Sequence, residues 1–269
     1  MKKKEKTIEM HLPKQRRFNV KVIKLFENGF MNQEFAFGGE NKEGLSKDIK
    51  YPSSLQNFLI DTGKEVILVD TGYQNGFPEP KRNDATPIYM GTKIDDYLAQ
   101  LEKLGYKPSD IDYILVTHKH PDHTGALSYF ENAKIVISQE DYDSLGIQLK
   151  NVVIANYLDG PYYNFPRAQK ITDHLYFVEA KGHTKGNSIV IAEENDYFYM
   201  FHGDITYTDE ALYENKLSVV YEDIVEARKS LDNVREFVKN HKTIYLSTHT
   251  PYGVKNLEEH LYVDPDKIK

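Results

Sequence analysis

Residues 115–127, LVTHKHPDHTGAL, place three histidines and an aspartate within six positions. The four side chains are His118, His120, Asp122 and His123. Imidazole and carboxylate groups bind zinc, iron and manganese, and they also transfer protons in many enzymes. The chain has no cysteine, so any metal ion that it binds must be held by such nitrogen and oxygen ligands.

The spacing of these side chains indicates two metal ions. The apolar run before His118 predicts a strand, and side chains two positions apart on an extended chain point the same way, so His118 and His120 can converge on one ion. A turn at Pro121 would then direct Asp122 and His123 towards a neighbouring point. Four ligand-type residues in one loop exceed what one tetrahedral metal takes from a single loop.

Three further side chains of the same types follow predicted strands. His183 lies between two glycines in EAKGHTKGNS, Asp204 follows a glycine in MFHGDITY, and His249 ends the run TIYLSTH. Loops at strand ends are where a rigid scaffold commonly places reactive groups. These residues are therefore candidates to complete a two-metal site.

This pattern resembles the metallo-β-lactamase superfamily, whose HxHxDH motif is found here at residues 118–123. The resemblance covers roughly residues 20–255 and implies an α/β fold, an αββα sandwich of two mixed β-sheets flanked by helices. It also implies that Asp204 bridges the metals and that Asp70, in the run ILVDTG, supports the ligand loop. The implied metal ligands are His118, His120, Asp122, His123, His183, Asp204 and His249.

Within the superfamily, the chain is most similar to the N-acyl homoserine lactonases. In the sequence, 60 positions separate His123 from His183, 21 separate His183 from Asp204, and 45 more lead to His249. This spacing is similar to that of the lactonases, which also carry a tyrosine three residues after the bridging aspartate. Tyr207 occupies that position here.

The resemblance implies a hydrolase. Two cations lower the pKa of a shared water towards neutrality, and the resulting hydroxide attacks an ester or lactone carbonyl. The predicted catalytic residues are Tyr207, which would donate a hydrogen bond to the oxyanion, and Asp122, which would carry a proton to the leaving alkoxide. The predicted function is a dimetal-dependent lactonase, with an N-acyl homoserine lactone as the favoured substrate. The alternatives are a hydrolase of the same fold acting on a β-lactam, thioester or phosphodiester, and a non-catalytic metal-binding module.

Composition narrows the partners. The formal net charge is −7, and no dense cluster of lysine and arginine follows the opening MKKKEK, which disfavours nucleic acid as a partner. That opening leads into no apolar run, which disfavours a secretory signal and a membrane span. We therefore expect a cytoplasmic enzyme with a small-molecule substrate and two divalent ions. Zinc is the expected metal with iron or manganese as alternatives, and a homodimer is left open.

The remaining patterns predict the organisation of the chain. Residues 1–18 are predicted to be a peripheral segment and residues 19–269 a single domain. Residues 73–91 are rich in proline and glycine and predict a loop, while helical spacing starts at Lys93 and ends before Gly105, with Ile94 on the apolar face. The longest helix is predicted over residues 222–241.

Two features have no assigned role. Aromatic side chains in the predicted loop 151–169 could line an acyl-chain pocket or a subunit interface; they are Tyr157, Tyr162, Tyr163 and Phe165. His202 lies two positions before Asp204, and the sequence does not decide whether it supports the site or only packs in the core.

Overall fold

The computed structural model describes residues 16–269, in which the chain forms two sheets and seven α-helices. The strands are β1 Asn19–Asn32, β2 Lys50–Asp61, β3 Val66–Val69, β4 Ile88–Lys93, β5 Tyr113–Leu115, β6 Lys134–Ile137, β7 Val152–Ile154, β8 Ala168–Thr172, β9 Leu175–Glu179, β10 Ser188–Glu193, β11 Phe198–Phe201 and β12 Thr243–Leu246. The helices are α1 Gln33–Phe37, α2 Tyr97–Lys103, α3 Pro121–Thr124, α4 Gln139–Leu145, α5 Asp209–Tyr213, α6 Ile224–Asn240 and α7 Pro251–Glu258.

Both sheets are mixed. The first has the order β4-β1-β2-β3-β5-β6-β7, in which β3, β5, β6 and β7 run parallel and the other pairs are antiparallel. The second has the order β12-β11-β10-β9-β8, and only β11 and β12 are parallel neighbours. β2 and β3 form an antiparallel hairpin around the Thr62-Gly63 turn.

Three apolar layers show that the two sheets are stacked and covered by helices. Phe58 and Val69 of the first sheet meet Phe201 of the second in a core between the sheets. On the outer faces, Leu101 of α2 packs on the first sheet and Leu231 of α6 on the second. Each helix therefore buries one apolar stripe against a sheet. The predicted αββα sandwich is confirmed.

The long helix α6 begins directly after its N-cap residue, Asp223. The Oδ1 atom of Asp223 accepts hydrogen bonds from the backbone N–H groups of Val225 and Glu226, which have no partner within the helix. The predicted helix at 93–105 is shorter than expected: α2 begins at Tyr97, and Ile94 is 37% exposed outside it. The prediction that Ile94 lies in the core was wrong, because its N–H bonds to the carbonyl of Leu25 and continues the sheet connection.

Two predicted loops contain strands. Residues 88–91 belong to β4, which pairs with β1, and residues 152–154 and 168–169 belong to β7 and β8. The aromatic side chains in 151–169 are mostly core residues: Tyr157 stacks on Phe177, and Phe165 packs on Phe237 of α6. Only Tyr163 among the four is exposed. Core packing against the second sheet and α6 therefore accounts for three of these aromatics.

Two predictions concern the ends and surfaces of the chain. Residues 1–15 of the predicted peripheral segment lie outside the described residues, and Phe18 at its end is buried, with its N–H donating to Glu194 Oε1. The boundary at residue 19 therefore stays a prediction. Within residues 16–269, no helix combines the length and apolar character that crossing a bilayer requires.

The carboxyl group of Asp209 predicts a pH-dependent stability. Its Oδ1 is buried with no hydrogen-bond partner in the part of the chain that the structure describes. Burial raises the pKa of Asp209 to about 6 although Asn256 donates to the other oxygen. Because the folded pKa exceeds the unfolded value, the stabilising contribution is complete below about pH 4 and is lost as the pH rises through 6. Asp209→Asn should therefore raise the unfolding free energy by about 2–3 kcal/mol at pH 8 and by little at pH 4. Urea unfolding at both pH values measures this, and an equal effect at both would contradict it.

Candidate metal centre

The seven candidate ligands lie at one edge of the sandwich because of the strand directions. His118 follows β5 by three residues, rather than directly as predicted, and His183, Asp204 and His249 follow β9, β11 and β12. These three strands run in the same direction, since β9 and β11 are both antiparallel to β10 and β12 is parallel to β11. Their carboxyl ends therefore meet at the edge where β5 also ends.

Four of the seven side chains form a first group. His118 Nε2 lies 3.1 Å from His120 Nδ1, and His183 Nε2 lies 3.2 and 3.0 Å from these two atoms. Asp204 Oδ2 is 3.2 Å from His183 Nε2 and 3.6 Å from His118 Nε2. The four ligand atoms are close enough together to hold one metal ion.

The other three form a second group beside it. Asp122 Oδ2 lies 3.4 Å from His249 Nε2 and 3.8 Å from His123 Nε2. The second oxygen of Asp204, Oδ1, lies 3.2 Å from His249 Nε2 and 3.4 Å from His123 Nε2. The Asp204 carboxylate therefore faces both groups, one with each oxygen.

The chain's own hydrogen bonds fix two of the imidazole rings. Asp70 accepts hydrogen bonds from Thr117 N (2.7 Å), Thr117 Oγ1 (2.8 Å) and His123 Nδ1 (2.7 Å). His183 Nδ1 donates to the carbonyl of Val220 at 3.0 Å. The bonds of His123 Nδ1 and His183 Nδ1 each place the ring proton away from the centre and turn Nε2 towards it, as in many metal sites.

Charge and hydrogen bonding in the centre fit two cations. Among the described residues, the buried atoms His123 Nε2 and Asp204 Oδ1 have no hydrogen-bond partner. Burial lowers the pKa of His118 well below its usual value and favours the neutral form that binds metals. For His123, burial also acts to lower the pKa, but the carboxylates of Asp204 and Asp70 outweigh it and raise the pKa well above its usual value. Positive charge is therefore favoured between these carboxylates, and imidazole and carboxylate ligands suit zinc, iron or manganese.

Tyr207 lies against both groups. Its ring centroid is 5.2 Å from that of His249 and 6.1 Å from that of His183. The ring of Phe35 in α1 stacks on that of Tyr207, nearly parallel, with the centroids 5.4 Å apart. Burial, then the charges of Asp204 and Asp122, raises the pKa of Tyr207 well above its usual value. The phenol therefore keeps its proton and remains a hydrogen-bond donor.

The structure places His202 outside both ligand groups. The side chain is fully buried, stacks on Tyr245 with a centroid separation of 3.7 Å, and has no hydrogen-bond partner within residues 16–269 at either ring nitrogen. Burial lowers the pKa of His202 to about 3, so the ring is neutral. Its contacts are those of a core residue directly after β11.

Sequence reasoning missed two carboxylates near the centre, Asp141 and Glu222. The buried Asp141 accepts hydrogen bonds from residues 119, 184 and 186, and Glu222 forms an ion pair with Lys119 at 2.6 Å. Ser138 is a helix-capping residue type and could have indicated the start of α4. The contacts of Asp141 with residues more than 20 and more than 40 positions away could not be predicted from sequence.

Three proteins that are similar to this chain are described as N-acyl homoserine lactonases or quorum-quenching lactonases, or hold an N-acyl homoserine at the active site. The N-acyl homoserine lactonase of Bacillus cereus is 28% identical over 206 residues, which cover 71% of this chain and 79% of that protein. A structure of a B. thuringiensis AiiA variant with N-decanoyl-L-homoserine bound at the active site has a TM-score of 0.67 at 19% identity, covering 91% of this chain and 98% of that one. AidC, described as a dizinc quorum-quenching lactonase, has a TM-score of 0.62 at 20% identity, with 87% and 92% covered.

The family is shown by a match to its sequence model. The model of the metallo-beta-lactamase superfamily matches residues 56–255, which include every residue of the two ligand groups. The stacked mixed sheets and the ligand edge agree with that match. This chain is a member of the metallo-beta-lactamase superfamily.

Proposed function

We propose that this protein is a dimetal-dependent hydrolase that opens a lactone, with an N-acyl homoserine lactone as the favoured substrate. The observation that carries the proposal is the Asp204 carboxylate facing two ligand groups, with Tyr207 against both. The relatives named above support the lactone as substrate, since they are N-acyl homoserine lactonases.

The proposed ligands of one metal are His118, His120, His183 and Asp204, and those of the other are Asp122, His123 and His249. Asp204 would also serve the second metal with its other oxygen. When bound, two divalent cations supply an activated water and polarise a carbonyl oxygen. Zinc is the proposed metal, because histidine and carboxylate ligands suit it and AidC is described as a dizinc enzyme. Elemental analysis of purified protein tests this, and iron or manganese at two equivalents would contradict zinc.

The proposed role of Tyr207 is to donate a hydrogen bond to the substrate carbonyl oxygen as negative charge develops there. A neutral, buried phenol is suited to this role, because it donates without first losing hydration. Its ring is buried and contacts both Phe35 and the imidazoles, so little side-chain freedom remains to be lost on binding.

The proposed role of Asp122 is to move a proton. Its side chain is 17% exposed, compared with 2% for Asp204, so it is the more accessible carboxylate of the centre. Asp122 would accept a proton from the attacking water and deliver it to the leaving alkoxide, which is a poor leaving group without protonation.

A substrate panel tests the proposed reaction. Zinc-loaded protein should open N-acyl homoserine lactones with a kcat/KM in the usual enzymatic range, above roughly 10⁴ M⁻¹s⁻¹. A cephalosporin, a thioester and bis-p-nitrophenyl phosphate represent the alternative substrates of the same fold. Turnover of any of these three substrates without turnover of the lactones would contradict lactone opening. A zinc-loaded protein that hydrolysed none of the substrates would support the non-catalytic alternative.

The location and partners remain predictions. We propose a cytoplasmic protein with a small-molecule substrate. We also propose that it has no nucleic-acid partner, which the net charge of −7 supports. A homodimer is left open by the sequence, and sedimentation velocity would test it.

A further inference from the structure

A buried carboxylate joins the two loops that supply the first ligand group. Asp141 lies on α4, and its Oδ2 accepts hydrogen bonds from Lys119 N at 3.0 Å and from Thr184 Oγ1 at 2.6 Å. Its Oδ1 accepts a hydrogen bond from Gly186 N at 3.1 Å. Lys119 lies between two histidines of the first sheet's loop, and Thr184 follows His183 in the loop of the second sheet.

The loop that follows His183 packs closely against the start of α4. A Cβ atom on Gly186 would lie 1.9 Å from Ser138 Oγ and 2.8 Å from Asp141 Cγ, so only glycine fits at this position. Ser138 Oγ also accepts the N–H of Asp141 and thereby fixes the start of α4. The Asp141 carboxylate is therefore held rigidly between the two loops.

A second carboxylate joins the same loops at the surface. Glu222 accepts a hydrogen bond from Lys185 N at 2.8 Å and forms a 2.6 Å ion pair with Lys119 Nζ. Its own N–H donates to the carbonyls of Gly182 and His183. Because this pair is partly exposed, water competes with it, and we expect it to contribute less than Asp141.

We propose that Asp141 is a positioning residue that sets the metal affinity of the first ligand group. It holds the loop of His118 and His120 against the loop of His183 through the backbone, without contacting the ligands themselves. This inference rests on the metal centre of the proposed function. It deepens that proposal because it names a residue outside the ligand set that determines how tightly one of the two metal positions binds its ion.

The isosteric variant Asp141→Asn weakens this connection. If the new NH₂ group occupies the Oδ1 position, it faces the N–H of Gly186; if it occupies the Oδ2 position, it faces the N–H of Lys119. In either orientation one backbone donor loses its acceptor, so one of the contacts that hold the two loops against α4 is lost. A carboxylate is required because three donors converge on it.

The test measures metal affinity rather than activity alone. Zinc is titrated into metal-free protein against a competing chelator, in wild type and in D141N. We expect one of two bound equivalents to weaken by roughly 10- to 100-fold, the size found when groups that support metal ligands are removed. Asp143→Asn is the matched control, since Asp143 lies on the same helix, is exposed and accepts a hydrogen bond from Gln139.

Two ligand backgrounds identify which position is affected. In a His249→Ala background, which leaves the first group complete, D141N should weaken the remaining equivalent by the same factor. In a His183→Ala background, which leaves the second group complete, D141N should change the affinity by less than about threefold. Thr184→Val, which removes one of the three donors, should give a smaller loss in the first background, and this variant serves if D141N does not fold.

The outcomes separate this inference from the proposed function. Unchanged zinc affinity in folded D141N and T184V, or equal weakening in both backgrounds, would overturn the positioning role and leave the lactonase proposal intact. If D141N selectively weakened zinc binding at the first position while the zinc-loaded wild type opened no lactone, the positioning role would be supported and the lactonase proposal contradicted.

Discussion

Replacing Asp204 with asparagine is expected to lower kcat/KM for lactone opening by roughly three orders of magnitude or more, as when a member of a catalytic unit is removed. Each oxygen of Asp204 faces a different ligand group at 3.2 Å from its nearest imidazole. Asparagine offers only one oxygen and no negative charge, so it can serve one group at most. Steady-state kinetics together with zinc analysis measure the effect, and we expect at most one tightly bound equivalent.

Asp209→Asn is a matched control for this variant. It makes the same chemical change five positions further along the chain, at a residue outside the ligand groups. Its kcat/KM should equal that of wild type within about twofold. An Asp204→Asn protein that kept two zinc ions and activity within tenfold of wild type would contradict a shared carboxylate.

The second large effect is expected from Tyr207→Phe, which removes one oxygen atom and keeps the ring. Loss of a donor to a developing oxyanion lowers kcat by about 10²- to 10³-fold. KM should change by less than about threefold, because the hydrogen bond strengthens only as charge develops. Stopped-flow or steady-state kinetics on one N-acyl homoserine lactone measure both constants, and zinc content should stay at two equivalents.

A buried tyrosine remote from the centre provides the comparison. Tyr197 bonds to Tyr199 at 3.0 Å in a cluster with Tyr262, and Tyr197→Phe should leave kcat unchanged. If Tyr207→Phe raised KM and left kcat at the wild-type value, Tyr207 would bind the substrate without assisting the reaction.

The side chains that meet at the centre could be recognised from sequence because each follows an apolar run. A strand delivers its last residue to a sheet edge, and the short HxHxDH spacing fixes four of the seven side chains locally. The remaining three are brought to that edge by the directions of β9, β11 and β12. The family resemblance supplied the expectation that these distant positions belong together.

Other features depend on contacts that sequence does not display. β4 contains Gly91 at φ 113°, and it forms only because β1 pairs with it, so composition alone predicted a loop. Ile94 continues the helical spacing of its neighbours, but the chain is still extended there. Asp141 resembles any helix-start aspartate until its partners at residues 119, 184 and 186 are known.

Each ligand group takes residues from both sheets, and this has a consequence for how the protein denatures. His118 and His123 follow a strand of the first sheet, whereas His183 and His249 follow strands of the second. With ions bound, the sheets cannot part until coordination bonds break, so the release of an ion would limit the rate of thermal inactivation. The lifetime of the protein at high temperature would then depend on the free zinc concentration and shorten when a chelator is added.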